Sequence, residues 1–155
     1  MKERLLFTQW MVPARIEEVS DILGDAERLP DWWGAVYLDA KIVAEGDGNG
    51  IGRRVRFHSR GRLPYALRWQ AEVVEAIRPH GWTIRATGDL VGTGVWRLRQ
   101  DGGAADIRYD WSVAVGRPVL RQLTPLLWPV FAANHRWAMA QGLEGLKKEL
   151  ARRCG

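Results

Sequence analysis

Two polar side chains stand next to each other in an otherwise apolar stretch near the C-terminus. The segment reads PVFAANHRWAMAQGLEGL and contains Asn134 and His135. A histidine can accept or donate a proton near neutral pH, and an asparagine amide can donate a hydrogen bond to a developing oxyanion. The pair therefore indicates either proton-transfer chemistry or hydrogen bonding to a bound ligand.

The motifs of several other enzyme classes are missing from the sequence. It has neither a GxSxG nor an HExxH motif, it has no dinucleotide-binding fingerprint, and its three histidines are irregularly spaced. The single cysteine, Cys154, has no second cysteine with which to form a disulfide or a metal site. We therefore expect no metal, no cofactor, and no acyl-transfer or hydride-transfer chemistry.

Length and charge restrict the class of protein. The 155 residues predict a single domain over 1–155, and no stretch is apolar over a length that could span a membrane. From the charged residues of MKERLLFTQWMVPAR we expect no signal peptide. We expect a cytoplasmic protein without stable membrane insertion. The net charge of +5 comes from scattered arginines without a nucleic-acid-binding motif, so we expect no nucleic-acid partner. The oligomeric state stays open.

Most of the chain has the alternating pattern of half-buried strands, in which every second residue is apolar. In the run from Tyr65 to Val73, for example, apolar residues alternate with Arg68, Gln70 and Glu72. The predicted strands are residues 5–12, 36–44, 51–59, 65–73, 82–86, 90–98 and 107–115. The glycine-rich EGDGNGIG between the second and third predicts a hairpin turn, and Gly92 and Gly94 predict a bulge or a close approach to the sheet. Several of the nine tryptophans fall on one face of these strands.

Helices are predicted in three places. PARIEEVSDILGD and AERLPDWWG predict two short helices after the first strand, and the C-terminal stretch predicts one long helix, with a kink or a delayed start at Pro125 and Pro129. Asn134 and His135 lie near the edges of its inward face. Gly142 and Gly145 lie on the same face, which indicates either close packing against the sheet or an empty space.

This order of elements resembles the helix-grip fold of the START-like, or SRPBCC, superfamily, and within it the polyketide cyclase/dehydrase-like group. The resemblance is carried by WMVPARIEEVSDIL, DWWGAVYLDAKIV, the middle strands from LPYALRWQ to VWRL, and RPVLRQLTPLLWPVFAANHRWAMAQGLEGLKKEL. It implies an α+β fold in which a curved antiparallel sheet of six or seven strands wraps around a long C-terminal α-helix. It also implies an apolar cavity between the sheet and the helix.

The residues expected to line that cavity are mainly aromatic. From strands and helix they are Tyr65, Trp69, Trp82, Trp96, Tyr109, Trp111, Leu127, Phe131, Asn134, His135 and Ala138. Trp32 and Trp33, on a connection between helix and strand, are expected at the entrance. Such a lining suits a small hydrophobic, polyketide-, aromatic- or lipid-like partner held by a few polar groups.

Three functions agree with this sequence. The first is binding of a small apolar ligand. The second is a polyketide cyclase or dehydratase reaction in the same cavity, with catalytic candidates His135, Asn134, Tyr109 and Asp89. The third is a protein-interaction module, which predicts a filled interior and an exposed apolar patch. If the histidine is buried it needs a partner, for which Tyr65, Tyr109 or a ligand carbonyl are expected.

Overall fold

The fold is described by a computed structural model that covers residues 4–62, 66–116 and 118–154. The strands are β1 (Arg4–Val12), β2 (Tyr37–Ala44), β3 (Arg54–Arg60), β4 (Ala66–Ile77), β5 (Gly81–Gly88), β6 (Leu90–Asp101) and β7 (Ala104–Val115). The helices are α1 (Ile16–Gly24), α2 (Leu29–Trp32), which follows one 3₁₀ turn, and α3 (Pro118–Cys154). None of these helices, over the described residues, is long and apolar enough to cross a membrane.

All the strands form one antiparallel sheet in the order β1-β7-β6-β5-β4-β3-β2. α3 lies along its concave face, and α1 and α2 come between β1 and β2. This is the predicted helix-grip architecture. The proline pair does not delay α3, because the helix begins at Pro118 and continues through Pro125 and Pro129.

The glycine-rich segment between β2 and β3 forms the predicted turn. Gly46, Gly50 and Gly52 have φ angles of 78°, 84° and 90°, which favour glycine. Asp47 Oδ1 accepts hydrogen bonds from the backbone of Asn49 and Ile51, both at 2.9 Å. Because the turn extends this far, β3 begins at residue 54 and not at residue 51.

The concave face carries a closed circuit of ring contacts, which we call the aromatic cluster. In order around the circuit its members are Trp10, Trp96, Tyr109, Trp111, Trp69, Phe57, Tyr37 and Trp33. Neighbouring ring centroids lie between 4.2 and 5.8 Å apart, which is the range of favourable aromatic pairs. Aromatic side chains from six strands and from the segment before β2 are therefore in contact with one another.

Two glycines let α3 pack closely against this cluster. A Cβ on Gly142 would lie 2.5 Å from the Trp33 ring and 3.0 Å from the Trp10 ring, and one on Gly145 would overlap the carbonyl oxygen of Trp32. Trp33 Nε1 also donates a hydrogen bond of 2.9 Å to the carbonyl oxygen of Ala138. Of the two explanations open for these glycines, close packing is the correct one, so they do not mark an empty space.

We expect Gly145→Ala to destabilise the fold by more than about 2 kcal/mol. The helix-propensity gain of about 1 kcal/mol is outweighed because the new methyl group overlaps a backbone carbonyl that cannot move without shifting α2. Urea denaturation monitored by circular dichroism measures the difference. Gly103→Ala is the control, since a Cβ there meets no atom within 4 Å. A variant of Gly145 as stable as the parent would contradict close packing.

Candidate ligand-binding cavity

A cavity of about 210 Å³ lies between the concave face of the sheet and α3. Seven members of the aromatic cluster line it, and Trp10 alone among them does not. The expected lining residues that do line it are Trp33, Trp69, Trp82, Trp96, Tyr109, Trp111, Phe131, Asn134, His135 and Ala138. Their role in binding stays a prediction. The filled interior expected for an interaction module is not what the chain forms.

Other expected cavity residues differ from the prediction. Trp32 stacks behind Trp33 with 5.4 Å between ring centroids, so Trp33 separates it from the cavity. Trp33 is itself only 4% exposed, which makes it part of the wall and not of an exposed rim. Leu127 is outside the lining because the neighbouring Trp128 and Phe131 take the inward positions of α3. Tyr65 is outside the described residues.

Asp89, one of the catalytic candidates, has a structural role in the sheet. Its Oδ2 accepts a hydrogen bond of 2.9 Å from the backbone nitrogen of Arg68, and its own backbone bonds to Arg68 and to Gly116. These bonds join the ends of β4, β5 and β7 where β6 begins. Asp89 is absent from the cavity lining, so the geometry does not support it as a catalytic candidate.

Asn134 connects α3 to the end of β3. Its Oδ1 accepts a hydrogen bond of 2.7 Å from the backbone nitrogen of Arg62. Its amide occupies the space where Gly61 has no side chain, and the Arg62 guanidinium lies 5.7 Å from the centre of the Trp137 ring. Asn134 therefore holds the segment after β3 at one end of the cavity, and it shares no hydrogen bond with His135.

His135 faces β1. Its Nε2 lies 3.5 Å from Thr8 Oγ1, a long hydrogen-bond distance. Tyr109, one of the partners expected for His135, does not hydrogen-bond to it. The Tyr109 hydroxyl lies over β6 instead, 2.6 Å from where a Cβ of Gly94 would be. Burial, and secondarily the charge of Arg136, lowers the pKa of His135 to about 4. The imidazole is therefore neutral at physiological pH, and it can act as a base or accept a hydrogen bond.

Two phenol hydroxyls reach the cavity, and one of them was missed by the sequence analysis. Tyr37 and Tyr109 both line it, and no described residue hydrogen-bonds to either hydroxyl. Burial raises the pKa of both, and the nearby Tyr37 adds to the effect on Tyr109. Both are thus neutral donors. Tyr37 is out of phase with the inward residues Ala40 and Ile42, and a register shift between Tyr37 and Asp39 turns it inward.

The arrangement combines a neutral base and two neutral donors in an aromatic, apolar space. Gly94 is essential to it, because any side chain there would collide with the Tyr109 hydroxyl and with the Trp111 ring. Among the other polar groups of the wall, Trp69 Nε1 already donates to Ser59 Oγ at 3.0 Å. Within the described ranges, no three His, Cys, Asp or Glu side chains are grouped to hold a metal ion.

We expect the free energy of unfolding to decrease as the pH falls from about 6.5 to about 4. In this window the unfolded chain binds a proton at His135 and the folded chain does not, because the pKa of the folded state is lowered to about 4. The loss is at most about 3 kcal/mol, and this group contributes no further change below about pH 4. Urea denaturation of the parent and of His135→Gln at several values between about pH 4 and about pH 8 gives the free energy of unfolding of each protein. The difference between their pH profiles is the contribution of His135.

His58→Gln is the matched control for this measurement, since His58 does not line the cavity. Its curve shows how the same substitution affects stability at a histidine outside the cavity. Identical curves for the parent and His135→Gln would contradict the lowered pKa.

Comparison with known proteins agrees with this geometry. The sequence matches the family described as polyketide cyclase / dehydrase and lipid transport over residues 8–151. No functionally curated protein matches it. TTHA0849 from Thermus thermophilus has a similar structure, with a TM-score of 0.79, 18% identity, and 98% of this chain and 100% of that one covered.

Two structures of enzymes also share the fold. The Zhui aromatase/cyclase from Streptomyces sp. R1128 has a TM-score of 0.75 at 17% identity, with 99% of this chain and 96% of that one covered. Norcoclaurine synthase from Thalictrum flavum, in complex with dopamine and hydroxybenzaldehyde, has a TM-score of 0.66 at 16% identity, with 97% and 87% covered. At these identities the likeness establishes the fold alone. By the family match over most of its length, the chain belongs to the polyketide cyclase / dehydrase and lipid transport family.

Proposed function

We propose that this protein binds a small aromatic molecule that carries a carbonyl or hydroxyl oxygen. The observation that supports this proposal is the pair of phenol hydroxyls, Tyr37 and Tyr109, that face an aromatic cavity without a partner among the described residues. Both hydroxyls are open to the cavity, because neither is among the described side-chain atoms that are buried without a hydrogen-bond partner. A ligand oxygen near the phenols would accept hydrogen bonds worth about 0.5–1.5 kcal/mol each, and the surrounding rings would stack on the ligand.

The size of the cavity favours one or two fused rings. A cavity of about 150 Å³ is enough for benzene, and this one has about 210 Å³. A long polyketide chain or a lipid needs more space than that. Among proteins of this fold, norcoclaurine synthase has been crystallised with two single-ring phenols, dopamine and hydroxybenzaldehyde. That observation supports the same size class for the ligand of this chain.

A matched ligand pair tests the proposal. We expect Tyr109→Phe to weaken binding of 2-tetralone about fivefold, because the variant loses one hydrogen bond to the ketone of about 1 kcal/mol. Binding of tetralin, which has the same two rings without the oxygen, should be unchanged. Tyr37→Phe should act in the same direction, and isothermal titration calorimetry measures both ligands.

Thr87→Val is the control, since it removes an exposed hydroxyl outside the cavity. It should leave both affinities as they are. An equal loss of affinity for the two ligands in Tyr109→Phe would mean that the phenol is structural. If neither ligand binds the parent protein, the proposal is wrong.

Proton-transfer catalysis of the cyclase or dehydratase type is a second candidate function. The observation that favours it is His135, a neutral imidazole in the lining of the same cavity as the two phenols. In such a reaction the imidazole takes a proton from a carbon next to a ketone. The C–H bonding pair then forms the enolate, whose oxygen accepts hydrogen bonds from Tyr37 and Tyr109. Return of the proton to carbon completes the exchange.

Deuterium exchange at carbon 1 of 2-tetralone, followed by proton NMR in deuterated buffer, separates the two functions. If the protein is catalytic, it should accelerate the exchange, and His135→Gln should lower that rate at least tenfold while 2-tetralone still binds. His58→Gln should exchange at the parental rate, since His58 is outside the lining. Exchange no faster with the protein than without it would leave binding as the function.

A further inference from the structure

A second polar region lies at the other end of the cavity from Asn134. Arg53 immediately precedes β3 and Gly61, which contacts Asn134, immediately follows it, so the length of one strand separates the two ends. Arg53 and Arg78 line this end, where the last residues of α1 meet the turn between β4 and β5. The two arginines also line a shallow depression beside the β2–β3 turn.

The Arg78 guanidinium has a defined place in this region. It lies 4.9 Å from the centre of the Trp82 ring, within cation–π distance. Gly24, the last residue of α1, has no side chain where the guanidinium lies, and a Cβ there would overlap it. Trp82 in turn lies 6.1 Å from Trp96 of the aromatic cluster. The charged group is therefore continuous with the aromatic wall.

The positive charge at this end is not neutralised within the described part of the chain. No described carboxylate lies within ion-pair distance of Arg53 or Arg78, although Asp21 is near enough to favour the charged form of Arg78. Arg53 Nε donates to the Glu45 carbonyl at 3.2 Å, and no described residue hydrogen-bonds to the Arg78 guanidinium. Burial, and secondarily the charge of Arg53, lowers the pKa of Arg78.

Other arginines of this chain do have carboxylate partners. Such pairs are Arg97 with Asp110 at 2.6 Å, Arg99 with Asp106 at 3.1 Å, and Arg152 with Glu149 at 2.7 Å. Two like charges that repel each other beside an apolar cavity are stabilised when an anion binds between them. The guanidinium groups of Arg53 and Arg78, which have no described carboxylate partner, could therefore bind an acidic group on the ligand.

We propose that Arg78, assisted by Arg53, binds a carboxylate on the aromatic ligand. This deepens the proposed function and rests on it, since the ligand rings would stack beside Trp82 and Trp96. A guanidinium recognises a planar carboxylate through two parallel hydrogen bonds, and stacking on a ring restricts its orientation. The substrate class is then an aromatic carboxylic acid.

Two ligands of the same shape test the proposal. 2-Naphthoate carries the carboxylate, and 2-naphthamide replaces it with a neutral group of nearly the same size. In calorimetric titrations of the intact protein, we expect 2-naphthoate to bind about tenfold more tightly than 2-naphthamide, as for a charged hydrogen-bonded pair. Added salt should weaken binding of the acid more than binding of the amide.

We expect Arg78→Gln to remove the preference for the acid and to leave 2-naphthamide affinity unchanged. Arg53→Gln should reduce the preference by a smaller factor, and Arg78→Lys should keep part of it. Arg85→Gln is the matched control, because Arg85 is exposed on β5 outside the cavity. Melting curves of each variant establish that it is folded. If Arg78→Gln does not fold, Arg53→Gln and the salt dependence of the parent decide the question.

The outcomes distinguish this proposal from the function on which it rests. If 2-naphthamide binds the parent as tightly as 2-naphthoate, or if Arg78→Gln weakens both equally, the carboxylate site is wrong and aromatic binding stands. If neither compound binds although 2-tetralone does, the carboxylate site is wrong and the proposed function stands; if 2-tetralone does not bind either, both proposals are wrong. A preference for the acid that is lost in Arg78→Gln and kept in Arg85→Gln supports the carboxylate site.

Discussion

The closed circuit of aromatic contacts is the constraint on which the rest of this structure depends. Each ring in the cluster touches two others, so none can rotate into the cavity without losing contacts on both sides. Each such pair contributes about 0.5–1.5 kcal/mol beyond the area that it buries. The rings thus hold the concave face of the sheet in a curve and keep a space open in front of it, whereas flexible aliphatic side chains would collapse into that space.

Glycines decide where the space is open and where it is closed. Gly142 and Gly145 bring the backbone of α3 against Trp33, Trp10 and Trp32, so the interior is fully packed around these two glycines. Gly94 does the opposite on β6, since it leaves room for the phenol of Tyr109 in the wall of the cavity. Glycine therefore allows close packing where it lies on α3, and it makes room for the Tyr109 phenol where it lies on the sheet.

The polar groups around the cavity are few and are placed at different positions along it. Asn134 is used in holding β3 to α3, and Ser59 accepts the hydrogen bond of Trp69. Other polar groups of the described lining include the phenols of Tyr37 and Tyr109, the imidazole of His135 and the guanidinium groups of Arg53 and Arg78. Burial lowers the pKa of the imidazole and raises the pKa of both phenols, so this part of the lining is uncharged at physiological pH and offers hydrogen bonds without charge.

The sequence by itself determined the order of the elements, the inner face of most strands and the family. Alternation with period two and the turn glycines are local signals, and β4 to β7 follow them with Trp69, Trp82, Trp96 and Trp111 all buried. Tertiary structure alone decided which polar residues meet. The register shift in β2 that turns Tyr37 inward depends on pairing with β3, and the contact between His135 and Thr8 joins residues at opposite ends of the chain. Neither has a local signature, because side-chain phase in a bulged strand and distances between remote elements are set only when the sheet curves around α3.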